Sequence, residues 1–331
     1  MSPMSIAEPD GAADFSRQAT IAVLIPCLNE ATAIPKVIAD FHASLPTATI
    51  FVYDNGSTDD TIAHSRAAGA VTRIEPLRGK GNVVRRMFAD IEADVFVLVD
   101  GDDTYDAGIA AQLVDTLLKN CLDMVNGARQ STAQDAYRPG HRFGNRILTG
   151  MVAMFFGSRI KDLLSGYRVF SRRFVKSFPA LASGFEIETE LSVHALQLRM
   201  PLAEVLTTYK ERPQGSISKL NTYKDGFRIF RTIVYLIKEE KPFAFFSFVA
   251  ILLAALSMAL GLPVVVEFMQ THLVPRLPTA LLAAAIAILS FLSFACGLIV
   301  DTVSRGRVES KRLAYLSIPV RFRDTAHRVT P

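Results

Sequence analysis

An α/β fold on a parallel sheet, followed by two membrane-length helices, is what this sequence predicts. Three features predict it. Short apolar runs alternate with helical patterns up to about residue 130, the runs stop at polar, acid-rich clusters, and two long segments near the carboxyl end carry no charge. Such alternation sets strands side by side in parallel, with helices on both faces of the sheet.

The apolar runs Ile21–Ile25, Ile50–Tyr53, Val71–Ile74, Val95–Val99 and Met124–Val125 read as strands. Ile34–Leu45, Thr58–Ala68, Gly81–Ile91 and Ala107–Leu118 read as the helices between them. Beyond residue 130 the chain turns basic and aromatic, with helices expected over His141–Phe156 and Asn221–Lys238. In the latter, Phe227, Phe230, Ile233, Val234 and Ile237 recur at helical spacing beside arginines, the pattern of a helix lying on a membrane surface.

Phe243–Val266 and Pro278–Val300 hold 24 and 23 uncharged residues. As helices each reaches about 35 Å, enough to cross a hydrocarbon core of about 30 Å. These runs account for an apolar share of 50% and a mean hydropathy of +0.27, high for a soluble enzyme. Basic flanks, Arg228, Arg231, Lys238 and Lys241 before the first run and Arg305, Arg307, Lys311 and Arg312 after the second, predict both termini in the cytoplasm. Met1–Gln18 lacks the basic start and apolar core of a secretory signal. The expected organisation is a tail over 1–19, a catalytic domain over 20–220, an interfacial helix over 221–241, two spans within 242–303 and a cytoplasmic tail over 304–331.

Three cysteines without metal-type spacing argue against a disulfide framework. Net charge is +4, but residues 129–241 hold 19 basic against 10 acidic side chains, which favours anionic ligands or anionic lipid. Nothing in the pattern calls for nucleic acid.

The chemistry concentrates at strand ends. Phe96-Val97-Leu98-Val99 runs into Asp100-Gly101-Asp102-Asp103, and ligands of open α/β sheets bind just past such carboxyl ends. Adjacent carboxylates there suit Mg²⁺ or Mn²⁺, which takes its remaining ligands from water and phosphate; a solvated turn capping the next helix is the plainer alternative. The first strand ends in Pro26-Cys27-Leu28-Asn29-Glu30 and the second in Asp54-Asn55-Gly56-Ser57-Thr58-Asp59-Asp60, where Gly56 permits a tight turn and Ser57 or Thr58 can cap a helix. Arg78-Gly79-Lys80-Gly81 has the look of a phosphate cradle at a helix start, although it is neither a Walker loop nor a dinucleotide fingerprint. Glu186, Glu188 and Glu190 alternate, which would put them on one face if the segment is a strand, and acid partners for nearby arginines are favoured over a second metal site.

Taken in order, PCLNE, DNGSTDD, RGKG, DGDD and SGYR resemble family-2 glycosyltransferases of the GT-A fold, and within them the dolichyl- or polyprenyl-phosphate sugar synthases. The resemblance covers about residues 20–230, and the two spans are similar to the anchor of many bacterial members. It implies a nucleotide-diphosphate sugar in the cleft, with Pro26, Leu28, Glu30 and Asp54 near base and ribose and Lys80, Arg212 and Lys219 among the donor-binding cations. Asp100 and Asp102 match the DxD pair and, with Thr104, the metal site. Arg129 matches an arginine near the transferring sugar, and Asp162 an orienting acid at the reaction centre. Arg142, Asn145, Arg146 and Arg168 correspond to the part that receives the acceptor phosphate. Cations are needed there because a leaving nucleoside diphosphate gains negative charge as the glycosidic bond breaks. A phosphate monoester is already largely an oxyanion at neutral pH and asks little of a general base.

The expectation is an inverting, Mg²⁺- or Mn²⁺-dependent hexosyltransferase acting on polyprenyl phosphate at the cytoplasmic membrane face; a homo-oligomer is compatible with it. A processive polysaccharide synthase is disfavoured because its QxxRW element needs a tryptophan and the chain has none. A membrane-tethered module that binds sugar nucleotides without turnover is the non-enzymatic alternative, and it predicts binding without product.

Overall fold

In the computed structural model, residues 19–131, 150, 160–184, 186–210, 231, 234, 235, 238 and 241–319 are described. They form two compact units, the first from residues up to 210 together with 311–319, the second from 231–310.

The first unit holds one seven-stranded sheet: β1 (Ile21–Cys27), β2 (Thr49–Asp54), β3 (Val71–Ile74), β4 (Val95–Leu98), β5 (Met124–Ser131), β6 (Arg168–Ser171) and β7 (Leu202–Tyr209). Its order is β3-β2-β1-β4-β6-β5-β7. The expected parallel sheet is found from β3 to β4, and β5 and β7 are also parallel, but β6 lies antiparallel between β4 and β5. The sheet is therefore mixed, and the departure builds the site. Leu98 at the end of β4 faces Arg168 at the start of β6, so the loop entering β6 reaches the same sheet edge as the acids leaving β4.

Helices α1 (Ile34–Ser44), α2 (Thr61–Ala67), α3 (Lys80–Asp90) and α4 (Ala110–Lys119) fill the connections as expected. Pro35 opens α1, where its fixed φ fits and its missing N–H costs nothing, and Ile34, Val37, Ile38 and Phe41 form its buried face. Two helices start later than the sequence suggests because side chains capture the leading amides. Thr58 N–H goes to Asn29 Oδ1 (2.8 Å) and Asp59 takes both the N–H and the hydroxyl of Thr61, so α2 begins at Thr61 and Asp59 fills the role expected of Ser57 or Thr58. Asp106 caps Gly108 N–H (3.0 Å), which holds Ala107–Ile109 as a tighter turn before α4.

After β6 come α5 (Arg172–Ser177), capped by Ser171 Oγ on Phe174 N–H, and α6 (Ile187–Gln197). The Glu186–Glu190 segment is not a strand but the start of α6: Glu188 and Glu190 stand in its first turn, where acids are favoured by the helix dipole, and Glu190 accepts from Leu181 and Ala182 N–H. His194 on α6 is buried between Phe174 and Phe178, both 5.3 Å away. Burial there, with Lys311 adding to it, pushes the imidazole down to about 3. A histidine held neutral in the fold but protonated when unfolded costs stability as pH falls from about 6.5 toward about 3, at up to about 1.4 kcal/mol per pH unit. His194→Leu is expected to flatten that acid limb, measured as melting temperature between pH 7 and pH 5.

The second unit pairs α7 (Pro242–Thr271) with α8 (Leu277–Leu316), whose last residues belong to the first unit. Ser257, Ser290 and Ser293 donate to the carbonyls of Ala283, Ala250 and Phe246, an antiparallel pairing in which small polar residues let the helices approach closely. Large apolar side chains such as Leu252, Met258, Phe291 and Ile299 stay exposed. Both helices are long and apolar enough to cross a bilayer, which suggests membrane association. The expected tail from 304 proves helical to Leu316, and within the first unit Tyr315 Oη donates to buried Asp123 (2.6 Å) while the Arg173 guanidinium lies 4.8 Å over the Tyr315 ring. The expected helix over His141–Phe156 lies outside the described residues except for Gly150, which is helical; of Asn221–Lys238 only Arg231, Val234, Tyr235 and Lys238 are described, all helical.

Candidate active site

The loops leaving β1 and β2 are stitched together by their own polar groups. Asn29 N–H donates to Ser57 Oγ (2.8 Å) and Glu30 N–H to Thr61 Oγ1 (2.9 Å). Asp54, almost fully buried, accepts from Gly56 N–H, Ser57 N–H and the Ser57 hydroxyl, and so shapes the turn in which Gly56 sits at φ +81°. Pro26, Leu28, Glu30 and Asp54 are thus gathered at one sheet edge, with Glu30 and Asp54 buried and Pro26 and Leu28 half-buried.

Asn55 was not singled out in the sequence, yet it anchors the next loop. Its amide donates to the carbonyls of Glu75 and Leu77 and its oxygen accepts Gly79 N–H (2.6 Å). Gly79, at φ +119°, and Gly81 lie so close to the backbone of Ser183 and Ala182 that a Cβ on either would overlap a carbonyl oxygen. The glycines of Arg78-Gly79-Lys80-Gly81 therefore serve close packing rather than an open phosphate cradle.

Lys80, at the start of α3, is the member of that motif that reaches the acids. Its Nζ lies 2.5 Å from Asp100 Oδ1 and 2.5 Å from Glu188 Oε1. Burial alone would lower the ammonium pKa, but the charges and hydrogen bonds of Asp100 and Glu188 outweigh it and raise it. Glu188 is pushed up by its own burial, against the pull of Lys80.

Asp100 keeps about a third of its side chain exposed, whereas Asp102 is buried. Thr104 donates its hydroxyl to Asp102 Oδ1 (2.6 Å), is itself buried, and so holds the carboxylate in place. Asp103 adopts φ +56° and turns to Lys36 (2.8 Å), away from the pair. Among the described residues no three His, Cys, Asp or Glu side chains form a metal-binding group. The hard oxygens of Asp100 and Asp102 fit a divalent cation of the kind that needs only one or two carboxylates and draws its other ligands from phosphate and water.

The antiparallel entry into β6 brings the second half of the site. Gly166 N–H donates to Tyr105 Oη (2.8 Å), and a Cβ on Gly166 would overlap the Asp100 carboxylate. Gly166→Ala is therefore expected to displace Asp100 and lower turnover by about 10²-fold, the scale of a 1 Å misplacement, while overpacking costs only about 1–3 kcal/mol; kcat beside a melting curve checks this.

Arg129 near the end of β5 meets Asp162 in a two-pronged pair, Nε to Oδ2 at 2.8 Å and Nη2 to Oδ1 at 2.7 Å, with the Arg129 N–H adding a third bond at 3.0 Å. Burial pushes the Asp162 carboxyl up, but the bonds and charge of Arg129 outweigh it and hold it below the ordinary value. The guanidinium also lies 5.5 Å over the ring of Tyr209, which packs on Tyr105. Glu204 on β7 fixes the Asp162 loop by accepting from Lys161 N–H, Asp162 N–H and the Asn126 amide.

Arg168, expected among the acceptor-phosphate residues, is turned into the protein interior. It is fully buried, with its guanidinium donating to the carbonyls of Ser165 and Leu163 and to Ser192 Oγ, so it braces the SGYR loop from within. Arg142, Asn145, Arg146, Arg212 and Lys219 lie outside the described residues. The sequence missed Tyr105, Tyr209, Asn126 and Glu204 as site builders; the position of Tyr105, two residues past the acid cluster, was the available signal.

A family model described as glycosyl transferase family 2 matches residues 22–178. The glycosyltransferase AglJ of Haloferax volcanii is 35% identical over 254 residues, which cover 75% of this chain and 82% of that protein. A dolichyl-phosphate hexose transferase of the same organism is 26% identical over 221 residues, 67% of this chain and 95% of that one. Among solved structures, glucosyl-3-phosphoglycerate synthase from Mycobacterium tuberculosis in complex with Mn²⁺, uridine diphosphate and glucosyl-3-phosphoglycerate shares the fold at a TM-score of 0.57 and 23% identity, covering 71% of this chain and 86% of that one. Kinship across most of both chains with AglJ, together with a domain match running from β1 to α5, makes this chain a glycosyltransferase of family 2.

Proposed function

We propose that this glycosyltransferase moves a hexose from a nucleotide-diphosphate sugar to a polyprenyl phosphate, with inversion, at the cytoplasmic face of the membrane. The observation that supports it most is the gathering of Asp100, Asp102, Lys80 and the Arg129–Asp162 pair at one sheet edge, in a chain that also carries two bilayer-length apolar helices. The 26% identical relative named for dolichyl-phosphate hexose transfer points to the same class of acceptor.

Asp100 and Asp102 would hold Mg²⁺ or Mn²⁺, with Thr104 orienting Asp102; the UDP complex of the solved synthase carries Mn²⁺. When bound, such a cation offsets the charge that grows on the departing diphosphate. Arg129, fixed by Asp162, presents a pre-set positive group beside the sugar, and a group already in place stabilises developing charge without reorganising. A lipid phosphate oxygen forms the new bond to the anomeric carbon as the bond to the nucleoside diphosphate breaks. Arg142, Asn145 and Arg146 are the proposed acceptor-phosphate residues, and Arg212 and Lys219 the proposed diphosphate contacts. The basic flanks of the apolar segments favour a cytoplasmic catalytic unit.

Detergent-purified protein given a panel of labelled nucleotide sugars, polyprenyl phosphate and Mg²⁺ or Mn²⁺ is expected to move label from one donor into the lipid extract. Label recovered only as free sugar from every donor would overturn the lipid acceptor.

A further inference from the structure

We propose that Glu188 is a positioning residue that holds Lys80 in place so that Asp100 can pass from the lysine to the incoming divalent cation. The inference rests on the metal-dependent reading above. Lys80 is shared between Asp100 and Glu188 at equal distances, 2.5 Å each, but the two acids stand in different surroundings. Glu188 is 8% exposed at its side chain, while Asp100 is 31% exposed and opens to the site. Among the described residues, the second Glu188 oxygen, Oε2, is buried without a hydrogen-bond partner. A buried carboxylate with one oxygen unpaired is costly in a fold unless its charge is used.

The use follows from the exchange that cation binding requires. If a cation takes Asp100, Lys80 loses one of its two partners inside a buried pocket. A buried ammonium left without any acid is strongly unfavourable, so a lysine paired to Asp100 alone would hold it against the metal. Glu188 removes that conflict because Lys80 keeps a buried partner throughout. Lys80, Asp100, Asp102 and Glu188 together also carry two net negative charges, which matches a divalent cation; without Glu188 only one remains. Fixed charges this close in a buried pocket act on a divalent ion with little screening.

The geometry therefore predicts opposite signs for the two partners. In full-length detergent-purified protein, free Mn²⁺ is followed by electron paramagnetic resonance during titration, without nucleotide and again with UDP. Glu188→Gln is expected to weaken Mn²⁺ binding about ten-fold or more. Lys80→Met, which removes the competing cation, is expected to tighten binding of Mn²⁺ alone. Glu188→Asp, which keeps the charge, is expected to stay within about three-fold of wild type. Melting curves identify any variant that fails to fold, and the Lys80→Met arm decides the matter if Glu188→Gln does.

A role confined to packing would leave Mn²⁺ affinity unchanged in folded variants or shift both in one direction, and either result overturns the proposal. Wild-type protein that binds no Mn²⁺ even with UDP would instead overturn the metal-dependent reading on which it rests.

Discussion

Asp102→Asn is expected to lower sugar transfer by about 10²–10³-fold while leaving the fold intact, the range seen when one preorganised electrostatic group is removed from an active site. The side chain is buried, and its Oδ1 accepts the Thr104 hydroxyl. An amide of the same shape keeps that hydrogen bond through its own oxygen and loses the charge. In the metal-dependent account the loss falls on kcat and on the Mn²⁺ concentration needed for half-maximal rate. Melting temperature is expected to hold or rise, since a buried charge is itself unfavourable until a cation meets it. Steady-state rates across a Mn²⁺ titration, beside a melting curve, check both halves.

Arg129→Met is expected to cost both activity and stability. The Asp162 carboxylate is about 10% exposed and takes two of its three bonds from Arg129 through the guanidinium, so removing that group leaves a buried charge held, among the described residues, only by the Arg129 backbone N–H. Breaking such a pair from one side costs about 3–5 kcal/mol, and loss of the preset cation is expected to lower the rate by about 10²-fold. Arg129→Met combined with Asp162→Leu is expected to regain part of the stability and none of the activity, because the orphan charge is gone while the site stays incomplete. The pH dependence has a definite sign. Asp162 is held below its ordinary value in the fold, so the stability it contributes is present above about pH 4 and lost as pH falls through the lowered value. Urea denaturation of wild type and the two variants at pH 7 and pH 4 measures all of this.

The strand ends were legible because they are written locally. An apolar run that stops at Asp100-Gly101-Asp102 marks a buried strand and the cleft at its end, and β4 is indeed buried throughout with both acids just past it. The apolar helices were legible for the same reason: an uncharged run of more than 20 residues declares itself. Their ends were less so, since α8 runs on through charged residues to Leu316, where Tyr315 meets Asp123 from nearly 200 positions away.

Long-range pairing explains most of what the sequence hid. β5 reads as two apolar residues but extends to Ser131 because Asn126 through Ser131 pair with β7, a partner some 78 residues on. β6 is four residues long and begins with an arginine, so nothing local marks it as a central strand, and its antiparallel sense is what brings Asp162 and Gly166 to the acid pair. Arg168 was expected at the acceptor phosphate only through the resemblance carried by SGYR, which says nothing of burial. The carbonyls and the Ser192 hydroxyl that bury it come from the SGYR loop and from α6. Glu188 alternates with its neighbours as a strand residue would, yet Lys80 claims it from 108 residues away.

The central claim is that a phosphate on a lipid receives the sugar, and comparing two acceptors that differ only in that phosphate tests it most directly. With the productive donor and Mn²⁺, label is expected to enter the lipid extract with polyprenyl phosphate and to stay in the aqueous phase with the matching polyprenol. Equal transfer to the polyprenol, or transfer only to a water-soluble phosphorylated acceptor such as phosphoglycerate, would contradict the account.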